Sequence, residues 1–183
     1  MNGVGAFVAL GFVVSWVLYI VFGLFLPGFF AISLALVYGA VLVWFLRNNI
    51  AVSGSIAVLA PFGVLLPALA LRHMVVGLGW NVPGFSGLEI GVFLVFYTAF
   101  LSSAFGRIPV NIYRLGYAPW PVAAMALFLC IYALLTDNWF LALIVVFSQV
   151  VWVIRLGSSN WFDHVTHVLL WPVALISLIG KVI

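Results

Sequence analysis

The chain has 183 residues, of which 68% are hydrophobic and 5% charged, with a mean hydropathy of +1.40. A soluble domain carries roughly 25% charged residues and needs a polar exterior, so a water-soluble globule is excluded. The net charge of +3 rests on five Arg and one Lys scattered between apolar runs; with no basic patch, a nucleic-acid partner is excluded too.

Taken in chain order, the apolar runs are each close to the length a membrane helix needs, about 17–25 residues. Interruptions by Pro, Gly, Asn or charge divide them into about seven spans. The first, Val4–Leu26, follows no basic region, so it is expected to remain as a span rather than serve as a cleaved leader. It ends at Pro27-Gly28. The second is Phe29–Leu46, ended by Arg47-Asn48-Asn49, and the third is Ile50–Leu71, ended by Arg72-His73. A Gly-rich connection, His73 to Ser86, leads to the fourth, Gly87–Gly106. After the loop from Arg107 to Tyr117 come the fifth, Ala118–Thr136, the sixth, Trp139–Ile154, and the seventh, Trp161–Ile183. The expected fold is an all-α, polytopic transmembrane helix bundle forming one integral membrane domain over residues 1–183. A six-span reading, with one segment half-inserted, is the alternative.

Orientation follows from the rule that cytoplasmic ends collect Lys and Arg. With seven spans, Arg47, Arg107, Arg114 and Arg155 share the side of the N-terminus, whereas Arg72 and Lys181 lie opposite. That places the N-terminus in the cytoplasm. Trp80, Trp120, Trp139 and Trp161 fall at span ends, where indole favours the headgroup boundary. Trp16, Trp44, Trp152 and Trp171 fall inside spans and are expected to pack or to contact a solute.

Two stretches resemble each other: Val41-Leu-Val-Trp-Phe-Leu-Arg47 and Gln149-Val-Val-Trp-Val-Ile-Arg155. Each is followed by a polar turn and a span containing proline, Pro61 and Pro172. The pairing would relate spans one to three with spans five to seven, as two parallel three-helix repeats around a linker helix. Parallel repeats are one transporter plan.

Ionisable and polar side chains inside hydrocarbon are costly, which makes them the first candidates for function. Asn160, Asp163, His164 and His167 are spaced i, i+3, i+4 and i+7, so a continuous helix would align them on one face. Asp163 could fix the tautomer of a neighbouring His, a proton-linked arrangement. The competing reading is that Asn160 and Asp163 cap a helix start. Gln149 and Ser148 lie mid-span and Ser102 lies in the fourth span; with Trp44 and Trp152 they complete an expected solute or proton pathway. Gly87, Gly91, Val95, Ala99 and Ser103 repeat every four residues, a spacing that lets helices approach closely. Glu89 sits at that helix's start, where the dipole favours a carboxylate.

His73 is expected on the opposite membrane face from His164 and His167, which argues against haem ligation by such a pair. No zinc-enzyme motif surrounds the histidines, and the lone Cys130 reads as a small buried hydrophobe. No metal and no cofactor are expected. The expected function is therefore a small transport protein, channel or carrier, for a small neutral or weakly polar solute, proton-coupled or pH-gated. Its partners are the lipid bilayer, the solute, and further copies or other membrane subunits. One alternative is a non-catalytic subunit or scaffold of a membrane complex. Another is an intramembrane enzyme using Asp163, His164 and His167.

Overall fold

The computed structural model of the protein describes residues 3–59, 63–156 and 158–182. It is all-helical, with 76% helix and no strand among the described residues. The elements are α1 (Gly3–Phe22), α2 (Gly28–Phe45), α3 (Ile50–Leu59), α4 (Leu65–Gly77), α5 (Gly87–Ala104), a 3-10 helix (Ile112–Tyr117), α6 (Pro119–Leu135), α7 (Trp139–Val153), α8 (Trp161–Val165) and α9 (Leu170–Val182). Three of them, α1, α2 and α5, are long and apolar enough to cross a membrane, and α4, α6, α7 and α9 are shorter apolar helices. Only 11% of the apolar α5 stretch is buried, while Ser148, Asn160 and His164 are fully buried. Oily side chains outside and polar ones inside suit lipid as the surrounding solvent.

The first half is built on α1 and α2. Along α2 the buried residues Ala31, Ala35, Gly39 and Val43 recur every four positions, facing Ala6, Ala9 and Ser15, which are buried on α1. Small side chains bring the two backbones close. A methyl group on Gly39 would stand 2.1 Å from Ser15 Oγ and 3.0 Å from Ser15 Cα.

Helices α3 and α4 follow α1 in the same direction. Val52 of α3 and Leu66 of α4 pack with Phe7, Leu10 and Val14 of α1. Further along α1, the Trp16 indole donates to His73 Nδ1 at 3.1 Å. Tyr19 lies over Gly77, where a Cβ would meet its hydroxyl at 1.9 Å.

The expected third span, Ile50–Leu71, is not one continuous helix. Helix α3 is described as far as Leu59, Gly63 and Val64 are not helical, and α4 runs from Leu65 to Gly77, shortening the expected His73–Ser86 connection. The expected seventh span is interrupted likewise, between Val165 and Leu170. Proline explains both restarts. Pro67 is the third residue of α4, and Pro172 is the third residue of α9. A proline inside a helix lacks its N–H and clashes with the carbonyl four residues earlier. Restarting the helix just ahead of it puts the ring in the first turn, where no intrahelical donor is required. Pro61, the proline paired with Pro172 from the sequence, lies outside the described residues.

In the second half α5 begins with a capping box. Ser86 Oγ accepts from Glu89 N–H at 3.2 Å, and the Glu89 carboxylate accepts from Ser86 N–H at 2.6 Å. The other Glu89 oxygen accepts from the Tyr132 hydroxyl of α6 at 2.8 Å. α9 runs antiparallel to α5, with Leu178 near Gly87 and the Trp171 indole donating to Thr98 at 2.9 Å. The halves are joined by an apolar cluster holding Val64 and, from α4, Leu65, Ala68 and Leu69 with Phe140, Ile144 and Val151 of α7. Above it, Arg72 donates to the Pro83 and Val82 carbonyls at 2.7 and 2.9 Å. Asn138 donates to the Gly84 carbonyl at 3.2 Å.

Four helices end through a residue in the left-handed conformation: Gly79 after α4, Gly106 after α5, Asp137 after α6 and Arg155 after α7. The Trp80, Arg107, Asn138 and Leu156 N–H groups then bond back five residues into the preceding helix, which satisfies carbonyls otherwise left open. At Asp137 the conformation carries a steric cost that glycine avoids.

Two outcomes follow for stability in detergent. Replacing Gly39 with Val should lower it by about 1–3 kcal/mol, the usual cost of overpacking, because the atoms in the way include Ser15 backbone; an unchanged thermal midpoint would contradict the close approach. Asp137→Gly should raise stability by about 1 kcal/mol, read as a higher midpoint in the same assay.

Candidate functional site

The two interrupted helices meet at their interruptions. Val64 N–H, at the start of α4, donates to the His164 carbonyl of α8 at 2.8 Å. Next to it, a Cβ on Gly63 would lie 2.8 Å from the Thr166 carbonyl oxygen and 3.3 Å from His167 Cβ. Only a residue without a side chain permits that approach without displacing backbone.

A polar knot holds α8 in place. Asn160 caps the helix, its Oδ1 accepting from Phe162 N–H at 2.9 Å, and its Nδ2 reaches the Tyr113 carbonyl at 2.8 Å. Gly116 leaves room for this, since a Cβ there would stand 2.0 Å from Asn160 Oδ1. Ser158 organises the rest. Its hydroxyl donates to Asp163 and accepts from Asn160 N–H at 3.0 Å, and its carbonyl accepts from His164 Nε2 at 2.8 Å. The Tyr113 hydroxyl donates to the same Asp163 oxygen at 2.7 Å. Burial, then the hydrogen bond to the Asp163 carboxylate, pushes the Tyr113 phenol well above its ordinary range, so it stays a neutral donor. An aromatic ladder braces the knot against α5: Phe93, Tyr97, Phe100 and Phe162 stand at successive centroid separations of 5.1, 5.9 and 4.8 Å.

Because Ser158 O can only accept, His164 Nε2 carries the hydrogen. In the neutral ring His164 Nδ1 is then an acceptor, buried without a partner, and Gln149 Oε1 is another; the Trp161 indole N–H is a buried donor without one. All three lie on α7 and α8. Buried polar atoms are nearly always paired, so one orphan donor and two orphan acceptors on neighbouring elements form a chemical feature with room for hydrogen bonds to something else.

The sequence-expected residues fall in three places. Asp163, His164, His167, Gln149, Ser148 and Trp152 belong to α7, α8 and the segment after it. Ser148 is fully buried and bonds the Ile144 carbonyl of its own helix, and the Trp152 indole donates to the Ser159 carbonyl. Trp44 lies instead in an open groove of about 550 Å³ between α1 and α2, with the Arg47 guanidinium 4.3 Å above its ring. Ser102 lines a second open groove, between α5 and α9.

Three expectations need correction. The face aligning Asn160, Asp163, His164 and His167 does not exist, because α8 ends at Val165. Asp163 is committed to Tyr113 and Ser158, whereas His167 sits across the break, its Nδ1 accepting from Leu169 N–H at 3.2 Å as α9 restarts. Trp161, expected at the headgroups, is 2% exposed and part of the core with Val122 and Val145. Finally, His164 meets the start of α4, only nine residues before His73 in the chain, or about 14 Å of helix rise, rather than a full membrane thickness away. Among the described residues no group of three His, Cys, Asp or Glu side chains could hold a metal ion.

On α5, Gly87 meets Leu178 at 3.9 Å, but a methyl group on Gly91 would have nothing within 4 Å. Ala99 is half-buried. Ser103 works as a loop anchor, donating to the Val110 carbonyl and accepting from Ile112 N–H at 2.8 Å. The sequence reading missed Tyr113, Ser158 and Gly63. Ser158 could have been found from Ser-Ser-Asn before an aromatic helix start, a turn-and-cap pattern. No protein-family model matches the chain, and no match was found among curated proteins or solved structures.

Proposed function

We propose that the protein is a multi-pass membrane transport protein that passes a small neutral or weakly polar solute where its two broken helices cross. The observation that carries this reading is the contact between the interruptions, Val64 N–H to the His164 carbonyl. Discontinuous helices in corresponding positions of two halves are the usual mark of a transporter's binding site, because unwound backbone is tolerated in a bilayer only where protein or a polar cavity surrounds it.

In this reading the spans are α1, α2, α3 with α4, α5, α6, α7, and α8 with α9, and the N-terminus is cytoplasmic. Arg47, Arg107, Arg114 and Arg155 then share the cytoplasmic side. Each half has two helices followed by an interrupted third, and each restart carries proline at its third residue, in Leu65-Leu66-Pro67 and Leu170-Trp171-Pro172. That correspondence supports two parallel repeats with α5 as linker. Gln149, Trp161 and His164 supply the hydrogen bonds for the solute, and Asp163, held by Tyr113 and Ser158, positions the α8 turn.

A second reading, a subunit docked into a larger membrane complex, draws on the open space beside Gly91 and the exposure of Val95 on α5. Close packing at such a stripe needs a partner helix from outside the chain.

Purified protein in liposomes should accelerate osmotic shrinkage and reswelling with small neutral solutes such as glycerol or urea. Gln149→Leu should reduce that flux by about tenfold, the equivalent of one lost hydrogen bond, and Gly63→Val should also lower it by pushing the Thr166 backbone aside, both with helix content retained. Flux no faster than in empty vesicles would reject transport of these solutes. The docking reading instead expects co-purifying membrane subunits that Gly91→Leu releases; recovery of the chain alone in mild detergent would reject it.

A further inference from the structure

The open groove between α5 and α9 has a polarity of its own. It encloses about 600 Å³ and is walled by Leu101, Phe105, Val168, Trp171 and Pro172. Its polar members are Ser102, Thr98 and Arg107. Thr98 is already engaged, accepting from the Trp171 indole and donating to the Leu94 carbonyl. Arg107 is not: among the described residues nothing pairs with its guanidinium, and it stands just beyond the left-handed Gly106 that ends α5. The groove is therefore apolar along its length, with a free cation at the end of the helix that forms one wall.

We infer that this groove binds an anionic phospholipid, its phosphate on Arg107 and an acyl chain against Leu101, Phe105, Val168 and Trp171. The inference rests on the membrane-spanning reading, not on transport. Charge complementarity selects the headgroup: a guanidinium presents paired donors to phosphate oxygens, and Ser102, five residues earlier, adds a hydroxyl below it. The apolar walls select a hydrocarbon chain over a soluble anion. The location agrees, since Arg107 is one of the charges assigned to the cytoplasmic face, where anionic lipids concentrate. Pro172 contributes by position. The helix restart it imposes leaves Val168 outside α9, so that the groove opens alongside the interruption rather than against a full helix.

The experiment uses the full chain reconstituted in vesicles, with acyl-brominated phosphatidylglycerol or identically brominated phosphatidylcholine as quencher. Trp171 emission is obtained by subtracting the Trp171→Phe signal. At low quencher fraction in a phosphatidylcholine background, brominated phosphatidylglycerol should quench Trp171 with about fivefold higher apparent affinity, the weight of one interfacial cation. Arg107→Gln should abolish that preference without changing elution volume or helix content, because Arg107 is exposed. Leu101→Phe, which narrows the groove without adding an indole, should weaken quenching of Trp171 by both lipids. Equal quenching by the two lipids, or a preference that survives Arg107→Gln, overturns the inference and leaves the spanning reading intact. No quenching by either lipid overturns both.

Discussion

A single backbone hydrogen bond, from Val64 N–H to the His164 carbonyl, resolves the main difficulty of this chain. In an apolar surrounding every peptide group must find a partner inside the protein, and the restarts ahead of Pro67 and Pro172 leave the groups at two interruptions without intrahelical partners. Each interruption frees donors and acceptors, and an unpaired one costs as much as a lost hydrogen bond. Setting the two interruptions against each other lets one half's donor meet the other half's acceptor. Much of the remaining arrangement serves that contact: the bare Cα of Gly63, the capped turn of α8, and the serine that ties His164 back to the preceding loop.

The knot around α8 shows how a helix of five residues can be held. It is too short to be stable by its own hydrogen bonds. Asn160, Ser158, Asp163 and Tyr113 replace helix cooperativity with side-chain bonds drawn from the 3-10 helix and the preceding turn. Fully satisfied polar networks of this type specify one geometry. Within such a frame the unsatisfied atoms on Gln149, Trp161 and His164 stand out as the places with bonding capacity left over.

How much of this could be read from residues alone depends on contrast. The helical class was plain, because so few charges interrupt so many apolar residues. Cap chemistry was visible in part: Asn160 caps α8, as its reading as a helix start expects, whereas the capping box of Ser86 and Glu89 emerged only from the structure. Interruptions were harder. A proline in an apolar run reads equally as a kink or as the first turn of a new helix, and only the partner strand of backbone decides between them. The closest helix pair was hidden for a similar reason. Ala31, Ala35 and Gly39 differ little from their neighbours in hydropathy, whereas on the more conspicuous Gly87–Gly91 spacing a methyl group at Gly91 would meet nothing within 4 Å among the described residues. The separate locations of Trp44 and Ser102 were not legible at all, since which face of an oily helix looks inward depends on neighbours far away in sequence.

The loop between α4 and α5 has a consequence of a different kind. Its carbonyls at Val82, Pro83 and Gly84 are gripped by Arg72 of α4 and by Asn138, which caps α7. Although rich in glycine, it is a clasp that fastens the ends of two helices from opposite halves. At the other end of α4 the halves meet again, through Val64 and His164, so that helix is tied to the second half at both its ends.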